Sequence, residues 1–234
     1  MDEHDDLFTS EQIISYLRSQ ANPSNVTGMA RYGISSHNTL GVSIPLLREI
    51  AKGRRKDHWL AQELWECGIH EARILAAFVD DPKQVTSGQM ESWVADFDSW
   101  DICDQVCSSL FDRTPYATWK AVEWSVREEE FVKRAGFVLM ACLAVHDKKA
   151  SNALFESFMP YIQRGATDER NFVKKAVNWS LRQIGKRNQS LNLQAIQTAR
   201  EIAQLDSRAA RWIAADALRE LTGDKTQSRF RTGA

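Results

Sequence analysis

The chain has 234 residues, of which 43% are hydrophobic and 26% are charged, which is the composition of a soluble globular protein with a substantial core. Its formal net charge is −1, no run reaches the roughly 18 apolar residues of a membrane span, and the acidic start Met1–Asp6 excludes a secretory signal or mitochondrial presequence. We therefore expect a cytoplasmic protein that does not contact a membrane.

Residues 1–56 are predicted to form N-terminal helices. Thr9 and Gln12 have the spacing of a capping box at the start of the first helix. Asn22-Pro23 is expected to break that helix. Two further helices are predicted. One is a short helix in Met29–Ile34 that ends near Gly33, and the other opens at Ser43-Ile44-Pro45 and stops at Gly53.

Residues 57–222 are predicted to form about five helix pairs. The first helices are expected over 57–67, 87–97, 115–125, 151–163 and 191–204, and the second helices begin near His70, Trp100, Glu130, Arg170 and Arg208. Phe131-Val-Lys-Arg-Ala135 and Phe172-Val-Lys-Lys-Ala176 match at four of five positions, and the spacing of the second helices is that of helix-pair repeats. The sequence therefore predicts a single all-α domain over 1–234, an α-solenoid of HEAT-like repeats whose second helices line a concave groove.

The two halves of the chain carry opposite charge. Residues 1–130 hold 22 acidic and 12 basic side chains, whereas residues 131–234 hold 9 acidic and 18 basic ones. On the helix predicted over 170–186, Lys175, Arg182 and Lys186 form a stripe, and Lys133, Arg134, Arg208, Arg211 and Arg219 charge neighbouring second helices. The alternative for each single cation is a solvated surface or an ion pair, but cations in register on several helices indicate a basic groove for a polyanion. Residues 223–234 are expected to be a flexible basic tail.

The stretch Phe97–Asp104 contains the sharpest cluster of functional groups. Asp98 or Ser99 is expected to cap the helix that follows, and Asp101 then lies in its first turn. Trp100 and Asp104 are spaced i, i+4, so they share one helix face at the edge of the apolar arc. Trp179 occupies a similar boundary position on its own helix. The other tryptophans are predicted to pack in the core or between helices: Trp59, Trp65, Trp93, Trp119, Trp124 and Trp212.

The four cysteines lie within or at the end of apolar helical patterns and contain no CxxC pair. Buried reduced thiols are therefore expected rather than disulfides or a metal site, and no cofactor is predicted.

Several motifs resemble one known family. They are Leu40-Gly-Val-Ser-Ile-Pro45, His70-Glu-Ala-Arg73, Trp100-x-x-x-Asp104, Phe131-Val-Lys-Arg134 and Asp168-Glu-Arg-Asn-Phe-Val-Lys-Lys-Ala-Val-Asn-Trp179. With these the chain resembles the AlkD-like DNA alkylation-repair glycosylases, which are HEAT-like repeat proteins, from about Met29 to Leu221. The resemblance implies that a lesion cleft is lined by Trp100, Asp104, Trp179 and Arg134, and it aligns Tyr32 with an aromatic residue of the N-terminal region. It also implies recognition through the DNA backbone, without a snug pocket for the base.

The chemistry fits these residue types. An N3- or N7-alkylated purine is cationic and leaves readily, so a carboxylate that stabilises the oxocarbenium-like sugar and positions water meets the main catalytic need. Asp104 is assigned that role, with Trp100 and Trp179 as aromatic walls that favour positive charge. The residues expected to bind double-stranded DNA are Arg134, Lys133, Lys174, Lys175, Arg182, Lys186, Arg211 and Tyr32. The protein is expected to act as a monomer on DNA that carries alkylated purines.

Two other functions remain compatible with the pattern. The first is a non-catalytic HEAT-like protein that binds distorted or branched DNA, for which Asp104 would be dispensable. The second is a protein-interaction scaffold, which would have no affinity for DNA at moderate salt.

Overall fold

The computed structural model describes residues 9–231, and over that range the chain is helical with no β-strand. The fourteen α-helices of this range are α1 Ser10–Ser19, α2 Pro23–Ala30, α3 Ile44–Lys52, α4 His58–Glu66, α5 His70–Val79, α6 Ser87–Ala95, α7 Trp100–Ser109, α8 Ala117–Ser125, α9 Glu130–His146, α10 Asn152–Gly165, α11 Asn171–Gly185, α12 Gln189–Ile202, α13 Arg208–Thr222 and α14 Asp224–Arg231. One 3₁₀ turn, Phe111–Arg113, follows α7. The predicted all-α class is confirmed.

The predicted helix pairs are present as α4–α5, α6–α7, α8–α9, α10–α11 and α12–α13. Successive second helices pack on each other, α5 on α7 in one part of the chain and α9 on α11 on α13 in another. This side-by-side stacking of second helices is the arrangement expected of HEAT-like repeats. The chain divides into two compact units, one ending at Thr114 and one beginning at Pro115, and each is described separately. That the chain forms a single domain stays a prediction.

The first unit is held by an aromatic core between its helix pairs. Trp65 of α4 and Trp93 of α6 stack with their ring centroids 4.0 Å apart, and Phe97 and Phe111 pack beside them. At the N-terminus, Thr9 and Gln12 form the predicted capping box. The short helix predicted over Met29–Ile34 is misplaced. Asn22 caps a helix that starts at Pro23 and ends at Ala30, because proline fits the first helical position.

The second unit is built around α9, which is buried on nearly all sides, as its apolar sequence predicts. Gly136 allows this close packing. A Cβ at that position would lie 2.4 Å from the backbone nitrogen of Ser125, so any larger residue would push α8 away from α9. Cys103, Cys107 and Cys142 are buried free thiols, as expected, whereas Cys67 is only half-buried.

Two further expectations are wrong. Trp59, Trp119 and Trp212 are not core residues, because their side chains are exposed by 79%, 53% and 41%, respectively. The tail was expected to be flexible, but residues 224–231 form α14, where Thr226 is buried and Gln227 donates to Asn192 and to the Leu221 carbonyl. Residues 232–234 of the predicted tail lie outside the described residues.

Candidate nucleic-acid site

A cavity of about 590 Å³ lies beside Trp100 in the first unit. Helix α2, the segment that follows it, and the starts of α3, α5 and α7 enclose this space, and its wall is mainly apolar. Among the polar side chains that line it are those of His70, Glu71, Asp101 and Gln105. The cavity therefore joins the predicted Trp100 region to the N-terminal helices.

Trp100 is fixed at the wall of this cavity. Its indole Nε1 donates to the backbone carbonyl of Tyr32 at 3.0 Å, while the ring is only half-buried. The Tyr32 side chain is 76% exposed. Two residues named as site residues, 68 positions apart in sequence, are thus brought into contact, and one of them presents an aromatic ring to solvent.

Asp104 lies one helical turn after Trp100 on α7 and is half-buried. The expected cap at the start of α7 is not formed by Asp98. Ser99 occupies the N-cap position, but its hydroxyl makes no capping bond and instead donates to the Asp101 carboxylate at 2.9 Å. Asp101 therefore accepts a hydrogen bond from the N-cap residue of α7.

Asp101 is also bound to a buried histidine on α5. His70 Nε2 and Asp101 Oδ2 are 2.8 Å apart, and the His70 side chain is 2% exposed. Burial disfavours the charged imidazole, but the hydrogen bond from His70 to Asp101 and the charge of that carboxylate outweigh it, so the pKa of His70 is raised. This pair fixes the first turn of α7, and with it Trp100, against α5.

Glu71 anchors the segment that forms another part of the cavity wall. Its buried carboxylate accepts three backbone N–H bonds, from Leu40 at 2.9 Å, Gly41 at 2.6 Å and Val42 at 3.2 Å. Gly41 has φ +80°, and a Cβ there would lie 2.3 Å from the Asn22 carbonyl oxygen, so glycine is required. The Leu40-Gly41-Val42 part of the first motif is therefore explained by its bonds to Glu71 and by the need for glycine at position 41.

Arg73 is the third polar residue in the first turn of α5, after His70 and Glu71. It bonds to Asp96, which follows α6, and its guanidinium lies 5.2 Å from the centroid of the Trp65 ring. His70, Glu71 and Arg73 therefore bind three different parts of the first unit. From sequence, His70 and Glu71 were identified only as part of a motif and Asp101 only as a first-turn residue of α7, and Gln105 was given no role. For His70, Glu71 and Arg73 the available signal was a group of polar residues at the start of a helix whose other positions are apolar.

In the second unit, the cations of the predicted stripe are mostly paired with carboxylates of α13. Arg182 and Lys186 both bond to Glu220, and Arg182 also lies 3.6 Å from Asp216. Partial burial opposes ionisation of Glu220, but Lys186 and Arg182 outweigh it and lower its pKa. The stripe is therefore not a row of unpaired charges, because α13 supplies acids opposite α11.

Lys133 and Arg134, on the first turns of α9, also have partners within the second unit. Lys133 lies 3.0 Å from Asp168, which also pairs with Arg170. Arg134 is only 5% exposed, and its guanidinium donates to the Phe172 carbonyl at 2.6 Å. These contacts join the start of α9 to the start of α11, so both side chains hold the repeat together whether or not they also meet DNA.

The remaining predicted cations differ in exposure. Lys175 is exposed, and no partner for it is found among residues 9–231. Lys174 lies 5.0 Å from the centroid of the Trp212 ring, and the exposed Arg211 pairs with Asp206 at 3.3 Å. Trp179 is half-buried on α11. Its expected convergence with Trp100 joins residues of different units and stays a prediction.

Two further features concern metal ligands and membrane spans. Between residues 9 and 231 no group of three or more His, Cys, Asp or Glu side chains is placed to hold a metal ion. In the same range no helix has the length and apolarity needed to cross a membrane.

Comparison with known proteins agrees with this architecture. The chain is 23% identical over 203 residues to Uncharacterized protein Lin0241 of Listeria innocua serovar 6a (strain ATCC BAA-680 / CLIP 11262), an alignment that covers 85% of this chain and 88% of that protein. A solved structure described as "A new family of proteins related to the HEAT-like repeat DNA glycosylases with affinity for branched DNA structures" matches with a TM-score of 0.75 and 18% identity, and the match covers 89% of this chain and 94% of that one. The second similarity establishes a shared fold.

The family described as DNA alkylation repair enzyme matches residues 13–228, which is nearly the whole chain. The resemblance stated from the motifs is thereby confirmed, and the chain belongs to the DNA alkylation repair enzyme family.

Proposed function

We propose that the protein is a monofunctional DNA glycosylase that hydrolyses the N-glycosidic bond of cationic N3- or N7-alkylpurines in duplex DNA. The observation that carries this proposal is the placement of Trp100. Its indole is clamped to the Tyr32 carbonyl beside an open cavity, and Asp104 follows one helical turn later, in a chain of the alkylation-repair family.

The reaction needs few catalytic groups. The bond between the sugar C1′ and the purine nitrogen breaks, and both electrons pass to the base, which leaves uncharged. Asp104 is assigned to stabilise the developing positive charge on the sugar and to orient water, whose oxygen adds to C1′ and whose proton passes to the carboxylate or solvent. Trp100 and Trp179 are assigned to favour the cationic base through their ring faces. No lysine lies within Trp100–Asp104 to form a Schiff base, so strand cleavage is not expected.

The test is the release of 7-methylguanine from duplex DNA. Wild type should release the base, and Asp104→Asn should lower the single-turnover rate by about 100-fold, because a neutral amide stabilises the cationic sugar less well. Asp224→Asn, the same substitution at an exposed position of α14, is the matched control and should leave release unchanged. Failure of the wild-type protein to release 7-methylguanine and 3-methyladenine would refute the proposal.

The second candidate is binding of branched DNA without excision. The solved structure with the shared fold is described as having affinity for branched DNA structures, which supports this alternative. It predicts tighter binding to a four-way junction than to a duplex of equal length, steep salt dependence, and no loss of affinity in Asp104→Asn. Base release by wild type that is lost in Asp104→Asn would favour the glycosylase instead.

A further inference from the structure

A polar pocket of about 430 Å³ lies in the second unit, where helices α9 and α11 end. The residues that line it belong to the end of α9 and the turn after it, the start of α10, the end of α11 and the turn after it, and α14. Four of them are cations, namely Lys148, Lys186, Arg187 and Arg229, and we call the space that they surround the basic pocket. Only Lys186 among them was expected from sequence to bind DNA.

The charges of the basic pocket are only partly neutralised. No aspartate or glutamate of residues 9–231 lines it, although Lys186 Nζ lies 2.7 Å from Glu220 outside it. The Lys148 side chain is exposed and has no bonding partner in the same part of the chain. Cations that surround one space repel each other, so an anion placed in that space lowers their electrostatic energy.

Arg187 is held in the wall of the basic pocket by uncharged groups. Its guanidinium donates to the carbonyl of Ala144 at 2.6 Å and to that of Ala150 at 3.4 Å, and it lies 4.0 Å from the centroid of the Phe155 ring. Partial burial lowers the pKa of Arg187 and nearby Asp147 opposes this, but a guanidinium stays charged at neutral pH. Arg187 is therefore a positive charge that is fixed in position by carbonyl groups rather than neutralised by a bonded carboxylate.

Uncharged donors complete the wall. The side-chain amides of Asn152 and Gln183 line the basic pocket. Asn152 is also the first residue of α10, whose N-cap Ser151 makes no side-chain capping bond. The N–H groups at the start of a helix carry partial positive charge, so the start of α10 adds to the attraction that the cations exert on an anion.

We propose that the basic pocket binds one internal phosphate of the DNA backbone. The inference rests on the proposed function, since it takes duplex DNA to be the partner. Guanidinium and ammonium groups form charge-assisted hydrogen bonds with phosphate oxygens, and such contacts position a protein on DNA without reading its sequence. Arg187 supplies the fixed donor, whereas Lys148 and Arg229 are exposed and supply donors at the solvent side. The pocket is larger than a phosphate group, which leaves room for the adjoining sugar.

The test compares two double variants of equal net charge. Lys148→Gln with Arg229→Gln removes two cations of the basic pocket at exposed positions. Lys149→Gln with Arg200→Gln removes one lysine and one arginine at exposed positions outside it and is the matched control. A difference between them in affinity for DNA reflects the pocket and not the overall charge. The measurement is a fluorescence-anisotropy titration of a short undamaged duplex at several salt concentrations.

We expect the pocket variant to bind this duplex about tenfold more weakly than wild type at low salt. The slope of log K against log salt should fall in magnitude by about 1, which is the change expected for one lost phosphate contact. The control should stay within about twofold of wild type with an unchanged slope. A pocket variant that matches the control in affinity and slope would overturn the proposal.

Single variants provide a second test if the loss of Arg229 disturbs α14. Lys148→Gln should bind the duplex about threefold more weakly than Lys149→Gln, because only the first of these two exposed neighbours lines the basic pocket. Equal affinities of the two single variants would contradict the proposal.

Two further measurements identify the source of the phosphate. The pocket variant should lose affinity equally for blunt duplexes with and without 5′-terminal phosphates, because the proposed ligand is an internal phosphate. A loss confined to the 5′-phosphorylated duplex would assign the pocket to a strand end and overturn the proposal. Inorganic phosphate is then added without DNA at constant ionic strength. If it raises the Tm of wild type but not of the pocket variant, while DNA affinity is the same in both, the pocket binds free phosphate and the proposal is refuted.

Release of 7-methylguanine by wild type separates this inference from the proposed function. If wild type releases the base and the pocket variant binds DNA like the control, the glycosylase proposal stands and the phosphate site is refuted. If wild type releases nothing but the pocket variant loses affinity and salt dependence as expected, the phosphate site stands and the glycosylase proposal is refuted.

Discussion

Glu71→Gln is expected to destabilise the protein and loosen the cavity wall. The carboxylate is 1% exposed and accepts three backbone N–H bonds: Oε2 from Leu40, and Oε1 from Gly41 and Val42. In the glutamine variant one oxygen can keep two of these bonds, but the amide nitrogen faces the Leu40 N–H, and neither group can accept.

The magnitude follows from these contacts. One backbone donor loses its partner at a cost of about 1–3 kcal/mol, and two charge-assisted bonds become neutral at about 0.5–1 kcal/mol each. We therefore expect the free energy of unfolding to fall by about 3 kcal/mol, which corresponds to roughly 6–12 °C in Tm for a chain of this size. The lost bonds all hold the segment Leu40–Val42. This segment should therefore become mobile before the rest of the unit unfolds.

Urea denaturation and amide hydrogen exchange test this expectation together. The amides of Leu40, Gly41 and Val42 should lose more protection in Glu71→Gln than the amides in α9 do. Glu66→Gln, the same substitution at an exposed position of α4, should change the unfolding free energy by less than about 0.5 kcal/mol. A Glu71→Gln variant with wild-type stability and protection would show that the three N–H bonds do not hold this segment.

Two further predictions concern the ion pairs of the second unit. Partial burial raises the pKa of Asp168, but Arg170 and Lys133 outweigh it and lower the pKa from the ordinary 3.8 to about 2. The contribution of Asp168 to stability is therefore present above about pH 4 and is lost as pH falls toward 2. After allowance for solvent screening, Asp168→Asn should cost about 1–2 kcal/mol at pH 7 and only a small part of that at pH 2, as measured by urea denaturation at both values. An equal loss at both pH values would contradict this assignment. Glu220→Gln should leave the α11 cations less neutralised, so affinity for undamaged duplex at low salt should rise about threefold and fall more steeply with added salt. Unchanged affinity would mean that these cations do not face DNA.

Much of the fold was predictable because local sequence signals and packing agree. Asp147, Gly165 and Ser207 lie at the breaks between helices, and the repeated Phe-Val-Lys motif begins two second helices. The exposed tryptophans were not predictable in this way. Trp59 lies next to apolar residues in sequence, but whether a neighbouring helix covers it depends on contacts distant in the chain.

The candidate site was predictable only in part, for the same physical reason. Trp100 and Asp104 stand out because their i, i+4 spacing is local. Asp101 could not be separated from a capping residue, since its partner His70 lies 31 positions earlier. The pairing of Arg182 with Glu220, 38 positions away, could not be predicted either. A count of basic residues therefore overstates the unpaired positive charge on α11.

The cavity depends on one turn of α5 more than on the tryptophan beside it. His70 fixes the start of α7 through Asp101, Glu71 fixes Leu40–Val42, and the Tyr32 carbonyl fixes the Trp100 indole. These contacts act at several points around the same space, so loss of one should widen the cavity rather than abolish it. Substitutions in this turn should therefore first raise the mobility of Trp100 and of the segment Leu40–Val42, which amide hydrogen exchange measures.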